Sequence, residues 1–232
     1  MLRSISYWIF VRIPVWFVIT SLVLVTLLKW VPVRYTPLML KRAFQFREME
    51  NYHTEQEWVS LEYISPELIE AVIAGEDCRF YEHHGFDWIE VSTVLRAHDS
   101  KSEKLRGCST ISQQTAKNVF TFGSRTWIRK AMESWWTILI EWIWGKQRIL
   151  EVYLNLVELG HGIYGVESAS RIYYSSSSSD VEGLNAATIA ACLPSPLIDQ
   201  PGNLSTVARV RKRAIVERTG TFHGRDKSFQ KK

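Results

Sequence analysis

A long uncharged stretch near the N-terminus constrains this chain more than any other feature. Residues 13–28 carry no charge, and the apolar segment 7–11 extends them past Arg12, whose long side chain can reach the membrane surface. A helix needs about 20 apolar residues to cross the hydrocarbon core of a bilayer. The sequence therefore predicts one transmembrane helix over about residues 7–28, within an N-terminal membrane anchor of residues 1–34.

Two alternatives for this stretch are a cleaved signal peptide and a helix buried in a soluble core. A signal peptide ends at a cleavage site with small residues, whereas Lys29-Trp30-Val31-Pro32 follows here. We therefore expect a retained anchor, with Trp8 and Trp30 at the two membrane interfaces. Positive charges flank the stretch on both sides, so counting them does not decide its orientation.

Composition excludes several classes of protein for the rest of the chain. Apolar residues make up 46% of the 232 residues, too many for a disordered chain, and 22% are charged, too many for a polytopic membrane protein. Residues 203–232 carry nine Lys or Arg against two acids, a local charge of +7 in a chain of net charge +4. The cysteines, Cys78, Cys108 and Cys192, match neither a disulfide framework nor a zinc site in their spacing.

Helix signals dominate the remaining sequence, whereas alternating strand patterns are scarce. Caps and apolar spacing predict helices that begin at Ser65, Asp87 and Thr110 and helices that cover residues 127–144, 149–159 and 184–193. The serine run 175–179 is typical of a solvated loop. We predict a mostly α fold, with a juxtamembrane connection at 35–58, a helical domain at 59–200 and a basic C-terminal segment at 201–232.

Four segments combine high polarity with neighbouring apolar helices. The first reads EDCRFYEHHGFD from Glu76 to Asp87. A carboxylate on a loop after a helix is well placed to face a cleft, where burial suits it to general-base catalysis. The alternative is a set of surface acids paired with Arg79 or with the two histidines. The spacing of these histidines and acids matches no zinc pattern, so a metal site is not favoured.

The second segment reads GCSTISQQTAKN from Gly107 to Asn118. A glycine before a Ser/Thr-rich helix start leaves backbone N–H groups and the positive end of the helix dipole free to hold an anion. An ordinary capped helix is the alternative.

The third segment joins Arg125 to the run RKAME, and the fourth reads KQRILEVYLN from Lys146 to Asn155. Within the third, Arg129, Lys130 and Glu133 form either surface pairs on a helix or a cationic cradle for a phosphate group with a carboxylate beside it. The fourth segment, taken alone, is typical of a solvated helix.

In this order and spacing, the four segments closely resemble the successive motifs of the family 51 glycosyltransferases, the peptidoglycan glycosyltransferases of bacterial cell-wall synthesis. The resemblance runs from about Leu61 to Pro196. About 35 residues remain after Pro196, so we expect a monofunctional member rather than a bifunctional penicillin-binding protein. The resemblance implies a lysozyme-like, two-lobed helical fold, with residues 59–200 as the catalytic domain.

The resemblance also implies roles for individual residues. Glu76 matches the catalytic base, which deprotonates the 4-hydroxyl of the acceptor GlcNAc as it attacks the donor with inversion. Glu133 matches a second glutamate that assists the leaving group or orients a cation. The substrate-binding positions implied for the cleft and the lipid diphosphate are Ser109, Thr110, Gln114, Lys117, Asn118, Arg125, Arg129 and Lys130.

Partners and location follow from the same resemblance. It implies lipid II and the nascent glycan strand as substrates, the membrane and proteins of the division or elongation machinery as partners, and no nucleic acid. It places the chain in the inner membrane as a single-pass protein with its catalytic domain in the periplasm. No resident cofactor is implied, and a divalent cation, Mg²⁺ or Mn²⁺, at the diphosphate stays open.

Two other functions remain open on the sequence. A lysozyme-like fold with a carboxylate could cleave glycan instead, although a hydrolase has no diphosphate for Lys117, Arg125 and Arg129 to neutralise. A non-catalytic anchored scaffold is the second alternative, although the chain retains both Glu76 and Glu133.

Overall fold

The computed structural model describes residues 11–50, 52–101, 108–122 and 126–222. These residues are mostly helical, which confirms the predicted class. The helices are α1 (Ile13–Leu28), α2 (Pro37–Gln45), α3 (Pro66–Glu76), α4 (Trp88–Lys101), α5 (Ile111–Phe120), α6 (Trp127–Ile143), α7 (Gly145–Leu156), α8 (Val166–Tyr174), α9 (Gly183–Cys192) and α10 (Thr206–Phe222). Three short strands accompany them, β1 (Glu55–Gln56), β2 (Glu158–Gly160) and β3 (Ile163–Tyr164).

Helix α7 forms the centre of the core. Its residues Ile149, Leu150 and 152–156 are buried, so most of its C-terminal part is covered by other elements, although the segment taken alone is typical of a solvated helix. Helices α5 and α6 pack against it. The prediction of a helix over 149–159 was wrong at both ends. The helix begins directly after α6, and residues 158–160 leave it to pair with β3.

The three strands form one small sheet in the order β1-β3-β2. β1 runs parallel to β3, and β2 runs antiparallel to it. Strands of two or three residues give no alternation to detect, so the sequence did not predict this sheet. The buried Glu158 carboxylate of β2 accepts Nε and Nη2 of Arg42 at 2.8 and 2.9 Å, which fastens α2 to the sheet.

The basic C-terminal region contributes a helix to the packed structure. α10 lies against α3 and α9, and it buries Ala208 and Ile215. Two of its arginines reach the C-terminal end of α3: Arg211 donates to the Gly75 carbonyl and Arg218 to the Ala74 carbonyl, both at 2.7 Å. Cations at a helix C-terminus satisfy its free carbonyls and its dipole. This region therefore helps to build the end of α3.

Helix α1 packs on α6. Its Phe17 ring lies 5.9 Å from the Trp135 ring, and Trp144 Nε1 donates to the Val25 carbonyl at 2.7 Å. Within residues 11–50, 52–101, 108–122 and 126–222, no helix combines the length and apolar character needed to cross a membrane. Residues 7–10 of the predicted span lie outside the described residues.

The serine run is more ordered than the predicted solvated loop. Ser178 is fully buried, and its backbone N–H donates to Glu167 Oε2 at 2.7 Å. The Ser177 hydroxyl donates to the same oxygen at 3.3 Å. The pattern did not reveal this because the partner carboxylate lies on α8, ten residues earlier.

Candidate active site

Glu76 is the last residue of α3, and its side chain is only 9% exposed. Its Oε2 accepts Nε2 of Gln114 from α5 at 2.7 Å, and its Oε1 accepts Nη2 of Arg211 from α10 at 2.7 Å. Three helices that are distant in sequence thus meet at one carboxylate. The arrangement fits the predicted base, because the carboxylate is largely removed from water, is held by one hydrogen bond on each oxygen, and keeps lone pairs that can accept a proton.

Gln114 links Glu76 to the core. The Tyr153 hydroxyl of α7 donates to Gln114 Oε1 at 3.3 Å, so the two ends of the amide face different partners. Tyr153 is almost completely buried. Burial, and next the charge of Glu76, raise the pKa of Tyr153 well above its ordinary value, which keeps its hydroxyl protonated as a donor. Gln114, predicted to bind substrate, therefore has a direct contact with the candidate base.

The loop after Glu76 is fastened to the start of α5. Asp77 Oδ2 accepts the Ile111 N–H at 2.9 Å, and both Asp77 oxygens lie 3.0 Å from His83 Nε2. The loop then turns at Gly85, whose φ of +89° is unfavourable for residues with a side chain; a Cβ there would also lie 2.8 Å from Cγ2 of Thr137. His83 thus helps to hold the loop structure.

Ser109 and Thr110 come at the start of α5, beside Glu76. The Thr110 hydroxyl donates to the Gly85 carbonyl at 2.7 Å and accepts the Gln113 N–H at 3.2 Å, and the predicted capping box is present. Its hydroxyl is therefore engaged in the fold. Ser109 is exposed and lines a cleft together with Glu76, Cys78 and Cys108. All three cysteines of the chain are free thiols.

Lys117 lies one turn beyond Gln114 on α5. Its side chain is exposed and makes no hydrogen bond or ion pair with the described residues. Partial desolvation lowers its pKa, and the charges of Arg129 and Lys130 lower it further, against the opposing effects of Glu76 and Glu158. Lys117 therefore interacts electrostatically with both Glu76 and Arg129. Its neighbour Asn118 is buried.

The third predicted segment gives α6 a charged first half. Thr126 caps the helix by accepting the Arg129 N–H at 3.2 Å. Arg129 forms an ion pair with Glu133, and Lys130 Nζ lies 3.5 Å from Glu133 Oε2. The Glu133 side chain is only 4% exposed. Since an unpaired buried carboxylate is costly, Glu133 holds Arg129 in place, while the more exposed Lys130 adds a second, longer ion pair.

Arg125 lies outside the described residues, so its predicted place beside the diphosphate stays a prediction. Helix α6 begins at Trp127, two residues after it. Among the described part of the chain, no three His, Cys, Asp or Glu side chains converge as a metal site would require.

Sequence reasoning missed Arg211 and Tyr153, which complete the surroundings of Glu76. For Arg211 the available signal was its spacing: it comes four residues before Ile215, a buried position on the same helix. For Tyr153 the signal was its place among the apolar residues Leu150, Val152 and Leu154 of the same helix. Neither pattern identifies the partner, because the contacts span 135 residues for Arg211 and 39 for Tyr153.

Comparison with known proteins gives consistent results. A family model described as transglycosylase matches residues 42–219. A biosynthetic peptidoglycan transglycosylase of Bdellovibrio bacteriovorus is 43% identical over 214 residues, which cover 90% of this chain and 84% of the relative. Proteins of the same name from Pseudomonas aeruginosa and Haemophilus influenzae are 43% and 39% identical, covering 85% and 91% of this chain and 84% and 87% of the relatives.

Proposed function

From the premise that this chain belongs to the transglycosylase family, we propose a residue-level mechanism for its reaction. The chain is a peptidoglycan glycosyltransferase, an enzyme that polymerises glycan strands in cell-wall synthesis. We propose that its acceptor is lipid II and that its donor is the growing strand on undecaprenyl diphosphate. The lysozyme-like, two-lobed form of the fold is part of this proposal.

Glu76 acts as the general base. The 4-hydroxyl of the acceptor GlcNAc attacks the anomeric carbon of the donor MurNAc, and its proton passes to the Glu76 carboxylate. The bond to the diphosphate breaks on the opposite face, so the new linkage is β. The observation that carries this assignment is the carboxylate itself, nearly buried at the end of α3 beside a cleft. A base that takes one proton in the transition state contributes roughly 10²–10⁴-fold to the rate.

The cationic group on α5 and α6 meets the charge of the departing diphosphate. Lys117 approaches from α5, and Arg129 and Lys130 approach from α6. Glu133 holds the two α6 cations in place through its ion pairs. Donors fixed in advance stabilise charge as it develops and need no reorganisation during the step. We include Arg125 in this group on the motif alone.

A divalent cation is a second way to meet the same charge. Mg²⁺ in proteins is held by one or two carboxylates together with substrate phosphates. Glu133 is the carboxylate that would take part, and a bound cation would supply charge neutralisation at the diphosphate. The two ion pairs of Glu133 already place Arg129 and Lys130 there. The proposed mechanism therefore assigns every proton and charge to residues of the chain.

We also propose that α1 is part of a single-pass anchor in the inner membrane, with the catalytic residues in the periplasm. The long lipid of the substrate supports a site near the bilayer. Proteins of the division or elongation machinery are proposed partners, and the chain's chemistry has no role for nucleic acid.

Purified full-length chain and labelled lipid II test the proposal. We expect glycan polymer from the wild type and at least a ~10²-fold loss with Glu76→Gln, which keeps the shape of the side chain. The matched control is Glu62→Gln, because Glu62 is exposed. Shortening of preformed glycan would support a glycan-cleaving enzyme instead, and the absence of both activities would support a scaffold. Normal polymerisation by Glu76→Gln would refute the assignment of the base.

A further inference from the structure

Hydrogen bonds hold the Glu76 carboxylate from two sides. On each side they lead to a residue that has no role in the proposed reaction steps. On one side is Arg211 of α10, and on the other is Tyr153 of α7, acting through Gln114. We propose that Arg211 and Tyr153 are positioning residues that clamp the Glu76 carboxylate in the orientation its reaction requires. This inference rests on the proposed role of Glu76 as the base.

The Arg211 side of the clamp joins side chain to backbone. One nitrogen, Nη2, donates to Glu76 Oε1 and to the Gly75 carbonyl, each at 2.7 Å. The guanidinium is planar and rigid, so two contacts fix its plane. Because one partner is the backbone of α3 and the other is the side chain at the end of that helix, Arg211 sets the direction in which the carboxylate leaves the helix.

The other side of the clamp depends on the orientation of an amide. Gln114 Nε2 must face Glu76 for its 2.7 Å bond to form, and a flipped amide would set oxygen against oxygen. The Tyr153 hydroxyl donates to Gln114 Oε1 at 3.3 Å and the Ser109 carbonyl accepts Gln114 Nε2 at 3.4 Å, so both ends of the amide favour this orientation. The ring of Tyr153 is fixed in the core, so the orientation of the Gln114 amide depends on how α7 packs.

Together the two sides leave the carboxylate limited freedom but free acceptor sites. Each oxygen of a carboxylate has two lone pairs, and the clamp occupies one on each oxygen. The remaining pairs are held in a fixed direction, ready to accept the proton of the incoming hydroxyl. A misplacement of about 1 Å at a reacting group can cost about 10²-fold in rate, which sets the scale of the effect we expect.

The first experiment compares arginine variants of the full-length chain on lipid II. We expect Arg211→Met to lower kcat about 10²-fold with KM nearly unchanged, since it disturbs the base and not substrate binding. Arg211→Lys should recover part of this loss, because it restores a charged nitrogen donor but not the planar, rigid group that carries it. The matched control is Arg213→Met, which makes the same change two residues away on an exposed side chain. Added guanidinium should restore activity to Arg211→Ala and leave Arg213→Met unchanged.

The second experiment tests the other side and does not depend on the arginine variants folding. Tyr153→Phe keeps the ring and removes the hydroxyl, and we expect kcat to fall ~5-fold, the scale of one hydrogen bond.

Three results would overturn the proposal: a wild-type kcat in Arg211→Met, a loss in Arg211→Met that appears only in KM, or failure of guanidinium to rescue Arg211→Ala. If Arg211→Met does not fold, a wild-type kcat in Tyr153→Phe overturns it. An active Glu76→Gln would instead refute the base, whereas inactive Glu76→Gln with fully active Arg211→Met refutes the clamp alone.

Discussion

The Asp77 carboxylate accepts the backbone N–H of Ile111 at 2.9 Å, across 34 residues of sequence. Asp77 directly follows the candidate base, and Ile111 begins the helix that carries Gln114 and Lys117. This bond therefore sets the distance between the base and the residues of α5. An anionic acceptor at a helix N-terminus is favoured both by the free N–H group and by the helix dipole.

Asp77→Asn should destabilise the fold and misplace α5. The Asp77 side chain is 3% exposed and accepts from both Ile111 and His83, whereas an asparagine must turn its NH₂ group toward one of these donors. An unsatisfied buried donor costs about 1–3 kcal/mol, so we expect a lower melting temperature and weaker polymerisation. The control is Asp180→Asn, because Asp180 is exposed. Equal melting temperatures for the two variants would contradict the expectation.

The local part of this arrangement was predictable from sequence. The capping box at Thr110 and Gln113 is present, and Asp87 Oδ1 accepts the Glu90 N–H at 2.8 Å at the start of α4, as its spacing predicted. Such signals are readable because donor and acceptor lie three residues apart. The four polar segments likewise indicated Glu76 and the α6 cations, because their order and spacing carry the family resemblance.

The parts that the sequence did not predict depend on contacts between distant elements. Arg211 belongs to the predicted basic C-terminal segment, and only the packing of α10 on α3 brings it to Glu76. The same holds for residues 158–160. Their sequence is compatible with the end of a helix, but in the fold they form hydrogen bonds with β3. Apolar spacing gives the face a helix buries, but it does not name the helix that covers it.

Glu167 should make stability depend on pH in the acid range. Burial alone would raise the pKa of Glu167, but hydrogen bonds from Ser178 and the charge of Arg171 outweigh it and lower the pKa below the ordinary 4.5. A lowered carboxyl pKa stabilises the fold above the pKa of the unfolded chain, and this contribution is lost as pH falls through the folded value.

Glu167→Gln should therefore lower the free energy of unfolding at pH 7 by about 1–3 kcal/mol. The gap between variant and wild type should narrow as the pH falls below 4.5. Urea unfolding midpoints at several pH values measure this. Glu217→Gln, at an exposed position, should show no gap at any pH. A gap for Glu167→Gln that stays constant with pH would mean that the carboxylate contributes by shape and not by charge.

Removal of residues 1–34 should separate tethering from packing. The deletion uncovers the α6 surface that Phe17 and Val25 contact, including Trp135 and Trp144, so we expect a lower melting temperature in a chain that still folds. Tethering raises the local concentration of a membrane substrate. Polymerisation of lipid II in vesicles should therefore fall more than polymerisation in detergent. Equal losses in the two settings would argue that α1 acts through packing alone.

Lys117 should give polymerisation an alkaline limit. If Lys117 meets the diphosphate as a cation, kcat/KM, which reports the free enzyme, should fall as this lysine loses its proton. Desolvation and the charge of Arg129 place that pKa below the ordinary 10.5. Replacing Lys117 with Ala should cost about 10²-fold in turnover, as for the loss of one fixed donor. Lys117→Arg should abolish the alkaline fall, because arginine keeps its charge at these pH values.

Arg129→Met provides the sharper test of the same arrangement. Arg129 lowers the pKa of Lys117, so its removal should raise that pKa and move the alkaline fall of kcat/KM to higher pH. The maximal rate should drop as well, since one cation of the cradle is lost. The pH at which kcat/KM falls does not depend on that maximal rate, so the two effects can be measured separately. The control Arg213→Met removes the same charge from α10 and should leave the pH of the alkaline fall unchanged. If the alkaline fall of kcat/KM stays at the same pH in Arg129→Met, Lys117 and Arg129 do not share one site. The diphosphate would then need another set of donors.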